Sequence, residues 1–221
     1  MRWHHASDMP PDCAIEDDCQ GPVCGIDEAG RGPWAGPVVA AAVVLDRSAI
    51  PDGIDDSKKL APCARATLFD AIMASARVGI GIGTVEEIDR INILRANDLA
   101  MARALASLGR APAVALVDGN WVPKTIGIRV RAVVGGDALS LSIAAASIVA
   151  KVTRDRMMAR LDGRCPGYGW LTNVGYGTPE HRTALSRLGV TPHHRRSWRP
   201  VYNILHGIVD DCACEETAVN C

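Results

Sequence analysis

Short apolar runs broken by glycine, proline and acidic clusters set the rhythm of this chain. Val23 to Asp27 and Val38 to Leu45 are continuous apolar runs of strand length, separated by a glycine-rich turn. Val78 to Gly83, Ala113 to Val117 and Ile126 to Val134 read as three further strands. Leu68, Ile72 and Ala76 recur at helical spacing behind Pro62, which predicts a helix from Pro62 to about Arg77. Thr84 followed by Glu87 is an N-cap signature that opens another helical stretch. Further helices are expected over Ala96 to Leu108, Leu139 to Leu161, Pro179 to Leu188 and Trp198 to Ile208, with loops over 46–60 and 164–176. Strands interleaved with helices predict an α/β fold with a central sheet flanked by helices and a C-terminal helical segment. The first three strands have connections short enough for antiparallel neighbours, so the sheet is expected to be mixed.

The totals narrow the class. A chain of 221 residues, 48% hydrophobic and 22% charged, suits one globular domain with a proper core. No apolar run reaches the roughly 18 residues of a membrane span. His4, His5, Asp8 and Asp12 are the wrong chemistry for a secretory signal, so a cytoplasmic location and no membrane partner are expected. The net charge of −1 hides an asymmetry. Residues 1–20 carry five acids (Asp8, Asp12, Glu16, Asp17, Asp18) against Arg2, and residues 210–221 carry four and no base. Between these tails 23 bases face 16 acids, a balance of +7 that suits a polyanionic partner. Residues 1–20 are expected as a disordered acidic head, 21–209 as the folded domain and 210–221 as a flexible acidic tail. The eight cysteines form no CxxC pair and match no zinc or disulfide framework.

Candidate chemistry gathers where strands give out. Asp27-Glu28, Asp118 and Asp137 each follow an apolar strand and meet glycine, and ligands of open α/β sheets bind at strand ends. Carboxylates held together repel unless a cation neutralises them, and oxygen ligands select Mg²⁺ or Mn²⁺. Each position also has a local explanation. Asp118-Gly119 is a common turn dipeptide, and Asp137 can cap the next helix. Successive strand residues point to opposite faces, so Asp27 and Glu28 share one site only if the strand bends or ends there. The glycines of Gly30-Arg31-Gly32 allow close main-chain approach to phosphate. Ten bases against three acids over Lys151 to Arg199 read as a phosphate-tracking face. Lys58 and Lys59 follow two acids, Asp55 and Asp56, and can simply pair with them. Adjacent His193 and His194 lack the HxxxH spacing of a ligand pair and read as backbone or helix-end contacts. Acidic metal site, glycine loop and basic body together point to phosphoryl chemistry on nucleic acid.

The stretch Asp27-Glu28-Ala29-Gly30-Arg31-Gly32-Pro33 resembles the signature of type 2 ribonucleases H, bacterial ribonuclease HII in particular. Asp56-Ser57-Lys58-Lys59-Leu60, Val117-Asp118-Gly119-Asn120, Gly136-Asp137, the run Ser142 to Asp155, Gly175-Tyr176-Gly177-Thr178 and His193 to Ser197 match in family order. The resemblance covers about Val23 to Trp198. It implies an RNase H-like fold, cleavage of RNA in RNA–DNA hybrids and incision 5′ of single ribonucleotides in duplex DNA by a two-metal-ion reaction. It implies Asp27, Glu28, Asp118 and Asp137 as catalytic, metal-binding carboxylates for Mn²⁺ or Mg²⁺. Asp155 is the rival for the fourth place, but Lys151 one turn earlier makes it a helix pair. Substrate contacts are implied for Gly30, Arg31, Gly32, Lys58, Lys59, Ser147, Lys151, Tyr176, Arg195 and Arg196. A monomer is expected; a replication-clamp partner is not readable. Val174 stands where relatives often carry lysine, so one phosphate contact is expected to be missing. With about twenty residues ahead of the core, the extra N-terminal domain of ribonuclease HIII is not expected.

Overall fold

The computed structural model describes residues 10–208. Its centre is β1 (Val23–Ala29), flanked by β2 (Val38–Val44) and β3 (Arg77–Gly83) on one side and β4 (Val114–Asp118) and β5 (Arg129–Val133) on the other, in the order β3-β2-β1-β4-β5. β1–β2 and β2–β3 are antiparallel, and β1–β4 and β4–β5 are parallel, so the sheet is mixed as expected. β1 and β2 are buried on both faces, which is why their sequences run apolar instead of alternating.

Among the described residues seven α-helices surround the sheet: α1 (Ala14–Asp17), α2 (Pro62–Ser75), α3 (Val85–Ser107), α4 (Leu141–Arg164), α5 (Trp170–Asn173), α6 (Pro179–Leu188) and α7 (Arg199–Leu205). On one face α3 packs Ile88, Ala96, Ala100, Met101 and Ala104 against Ile26, Val38 and Val117. On the other, the alanines of α4 and the apolar stripe of α2 enclose Ala41 and Val43. Small residues make the layers thin. A Cβ at Gly25 would stand 2.1 Å from the main-chain carbon of Ser142 in α4. Among the described residues, no helix is long and apolar enough to cross a membrane.

Several boundaries differ from expectation for physical reasons. β1 runs past Asp27 to Ala29 because β2 continues to pair with it, Ala29 opposite Val39. The two stretches expected after Thr84 form one element, kinked at Asn92 (φ 67°), whose side chain accepts from the Arg95 N–H and caps the second half. The loop expected over 164–176 contains α5. The expected disordered head is corrected for residues 10–20: α1 folds there, and Glu16 is buried by hydrogen bonds to Ser140 and Ser142. Residues 1–9 of the head, the acidic tail and its cysteines lie outside the described residues. Cys24 is an inert core thiol, its pKa pushed to about 12 by burial.

Gly25→Ala is expected to destabilise the fold by about 3 kcal/mol, because main chain cannot retreat as a side-chain tip can. Urea denaturation reads this as a lowered midpoint; an unchanged midpoint contradicts the packing of α4 on β1.

Candidate active site

The mixed sheet delivers the acids to one end. Ile26 pairs with Val117 across the parallel β1–β4 ladder, so Asp27 and Asp118 emerge side by side. β5 then feeds a short 3-10 turn, Gly136–Ala138, that carries Asp137. Asp118 Oδ1 accepts from the Gly136 N–H at 2.8 Å and so fixes the approach of that turn. Asp27, Asp118 and Asp137 each offer a carboxylate oxygen within 4.8 Å of the others. Asp27 and Asp137 are buried, and Asp118 is half-buried. Burial first, then the charges of Glu28 and Asp118, hold the Asp27 pKa well above the usual carboxylate range. Asp118 is raised by burial and then by Asp137. A hard, oxygen-only donor set under mutual repulsion suits a divalent cation.

Lys58 occupies the place of a positive charge in this arrangement. Its Nζ donates to Asp137 Oδ2 at 2.7 Å and lies 3.8 Å from Asp56. Burial lowers its pKa, but the hydrogen bond and charge of Asp137, with Asp56 and Asp27, outweigh that and push it to about 12. The Lys58 side chain is 75% exposed, so it can swing away at little cost.

Glu28 takes the other face of the strand. Because β1 does not end at Asp27, alternation turns Glu28 away from the three-carboxylate group and towards Arg31, 3.1 Å from its Oε1. Burial raises its pKa; Arg31 and a hydrogen bond from Asn97 oppose the rise. Asn97 carries no sequence motif; it is the burial of Asn97 and Asp98 side by side on α3 that marks it. Its neighbour Asp98 grips the indole N–H of Trp121 at 2.9 Å. Asp155 is ion-paired with Lys151 one helical turn away at 2.8 Å and is not in the acidic group.

A cleft of about 410 Å³ opens over the acids, lined by Asp27, Glu28, Gly30, Arg31, Gly32, Ser57, Lys58, Asp118, Ser147, Lys151, Arg154 and Tyr176. Ser147 is structural within it: its hydroxyl accepts from the Ser57 N–H at 3.3 Å and so holds the loop of Lys58. Lys59 pairs with Asp55 at 3.4 Å and does not line the cleft. Arg195 is the main departure from expectation. It is buried, and its guanidinium donates to the carbonyls of Gly36, Arg31 and Gly30, so it is not available to phosphate. Arg154, counted in the basic face, is buried likewise and donates to the carbonyls of Pro37, Val174 and Ala35. A planar fork of donors can satisfy several carbonyls at once, which lysine cannot. Together they hold the Gly30–Gly32 loop from beneath. Burial pulls the Arg154 pKa to about 10 and the Arg195 pKa to about 9, so both stay charged at neutral pH. Arg196 is exposed and only its main-chain N–H is engaged, by Asp89. Val174, expected only as a missing lysine, adopts a left-handed conformation (φ 43°), costly for a β-branched residue, and Arg154 holds its carbonyl.

Tyr176 is 48% exposed at the cleft wall. Its carbonyl accepts from His181 Nδ1 at 2.8 Å, which fixes the proton on that nitrogen and leaves Nε2 to accept from Trp170 and His194. His194 Nδ1 accepts from the Thr191 N–H, so this pair is neutral; burial and then His181 lower the His194 pKa to about 3. The histidine is therefore a buried support, consistent with its reading as a backbone contact.

Asp27, Glu28 and Asp118 keep protons in the folded state that the unfolded chain has released, so metal-free stability falls as pH rises above about 4. The melting temperature of metal-free protein should decline as pH rises above the ordinary carboxylate range, and MnCl₂ should restore it most at the upper end. A flat profile without a Mn²⁺ response contradicts the cluster.

Comparison with known proteins agrees with this geometry. The family described as Ribonuclease HII matches residues 24–201. Ribonuclease HII of Cereibacter sphaeroides (strain ATCC 17025 / ATH 2.4.3) is 59% identical over 184 residues, covering 83% of this chain and 87% of that protein. The crystal structure of ribonuclease H2 from Pyrococcus horikoshii OT3 superposes with a TM-score of 0.71 at 31% identity, covering 84% of this chain and 98% of that one. The RNase HII of a PCNA complex from Archaeoglobus fulgidus superposes at 0.70 with 30% identity, covering 82% and 96%. The fold is RNase H-like. The chain belongs to the ribonuclease HII family, endonucleolytic hydrolases that act on RNA–DNA hybrids.

Proposed function

We propose that this cleft hydrolyses the phosphodiester on the 5′ side of a ribonucleotide, both within hybrids and at single ribonucleotides in duplex DNA, leaving 3′-hydroxyl and 5′-phosphate ends. The observation that carries the reading is the meeting of Asp27, Asp118 and Asp137 within 4.8 Å beside the Gly30–Gly32 loop. With Glu28 on the adjacent face they form the proposed metal-binding, catalytic set. Paired Mn²⁺ or Mg²⁺ ions, when bound there, would activate water and neutralise the charge that develops on the phosphate. The chain's own residues do the rest. Lys58 leaves Asp137 for a substrate phosphate, and Lys151 contacts a neighbouring one. The Gly30–Gly32 loop, with its Gly30 and Arg31 carbonyls held inward by Arg195 and with Arg154 packed against Gly30, presents main-chain N–H groups and approaches the ribose closely. The Tyr176 hydroxyl bonds the 2′-OH while its ring packs on the adjoining sugar, which separates RNA from DNA. Exposed Arg196 and the exposed bases of α4 and α6 track the phosphate backbone.

The unit proposed to act is the single domain, as a monomer. A clamp-type partner belongs to the same proposal, since the Archaeoglobus fulgidus relative was solved in complex with PCNA.

The test is a duplex bearing one ribonucleotide, incubated with Mg²⁺, Mn²⁺ or chelator, with the cut mapped. Cleavage should require metal and fall by about 100-fold or more in Asp118→Asn, while hybrid binding survives. Undiminished cleavage by Asp118→Asn, or equal cutting of all-DNA duplex, would falsify the assignment.

A further inference from the structure

We propose that Asp12–Asp18, ahead of the residues matched by the family, form a strap that sets the position of the Asp137 turn, with Glu16 as its positioning residue; this rests on the metal reading above. Asp137 sits on a three-residue turn with no sheet ladder of its own, so its place depends on what holds the turn's two flanks. One flank is held by Asp118 through the Gly136 N–H at 2.8 Å. The other is held by the strap. The Asp12 N–H donates to the Leu139 carbonyl at 3.3 Å, and the Leu141 N–H donates to the Asp12 carbonyl at 2.9 Å. Glu16 Oε1 then accepts from the Ser140 hydroxyl (2.6 Å), the Ser142 N–H (2.9 Å) and the Ser142 hydroxyl (2.7 Å). The Ser140 N–H in turn donates to the Gly136 carbonyl at 2.8 Å, which closes the turn on Asp137.

A buried carboxylate is costly without partners, and the N-terminus of α4 is where a negative charge is stabilised. Glu16 is 6% exposed and serves as a cap for that helix from 124 residues away in sequence. Ile15 and Cys19 pack beneath it on Val133 and Ile143. Asp17 reaches Arg47 at 2.6 Å, and Asp18 reaches Arg131 of β5 at 3.8 Å. The clustered acids of the head therefore face specific partners on the folded body. Glu16 Oε2 makes no hydrogen bond among the described residues, so the whole grip passes through Oε1. A glutamine, whose carbonyl oxygen takes the same three donors, should preserve it.

Mn²⁺ binding to the full chain, followed by electron paramagnetic resonance of the free ion, tests this alongside the metal dependence of cleavage. Glu16→Ala should weaken Mn²⁺ binding about tenfold and raise the metal concentration for half-maximal cleavage equally, with Glu16→Gln close to wild type. Ser142→Ala, which removes one of the three donors, should give a smaller shift in the same direction and serves if Glu16→Ala does not fold. Ile72→Val, in the core that α2 shares with β2 and α4, is the control: it should lower the melting temperature and leave Mn²⁺ affinity unchanged. A Glu16→Ala protein that melts earlier but binds Mn²⁺ like wild type overturns the strap alone. Failure of the wild-type chain to bind Mn²⁺ overturns the metal reading, and the strap with it.

Discussion

Repulsion among carboxylates that the sheet forces together is the constraint on which this molecule turns. Parallel pairing of β1 with β4 places Asp27 and Asp118 side by side, and the turn after β5 adds Asp137. Burial denies these groups the solvent that would otherwise screen them, and the Asp27 and Asp118 pKa values rise accordingly. Such a cluster is stable only with positive charge nearby. Lys58 supplies some of it through one exposed and easily displaced ammonium.

The bases divide into two kinds, and the division is chemical. Arg154 and Arg195 lie buried without a carboxylate in direct contact, Asp155 and Asp89 attracting them only at longer range. Main-chain carbonyls satisfy their guanidinium donors instead. Arg195 aims the Gly30 and Arg31 carbonyls inward, Arg154 holds those of Ala35, Pro37 and Val174, and together they place two positive charges beneath a cleft meant for a polyanion. Lys58, Lys59, Arg156, Arg160, Arg182, Arg187 and Arg196 lie at the surface, where long, flexible side chains can follow a phosphate backbone.

Much of this was legible in the sequence. Apolar runs mark the strands of the described residues, and acids close to glycine mark where β1, β4 and β5 give out. What failed was decided by long-range contact. Arg195 looks like a phosphate ligand beside Arg196 until the carbonyls of Gly30 and Arg31, more than 160 residues earlier, are seen to claim it. Glu16 looks like one more solvated acid until Ser140 and Ser142 fold over it. Glu28, implied as a ligand beside Asp27, turns towards Arg31 because the continued pairing of Ala29 with Val39 keeps the strand alternating there. Asn97 and the support of Tyr176 by His181 carry no motif, only burial of a polar group.

The most direct measurement is the anomalous diffraction of crystals soaked in Mn²⁺. A peak should appear among the carboxylates of Asp27, Asp118 and Asp137, with the Lys58 ammonium drawn away from its 2.7 Å contact with Asp137. No peak at that position under saturating Mn²⁺, with Lys58 still on Asp137, would contradict the cation site.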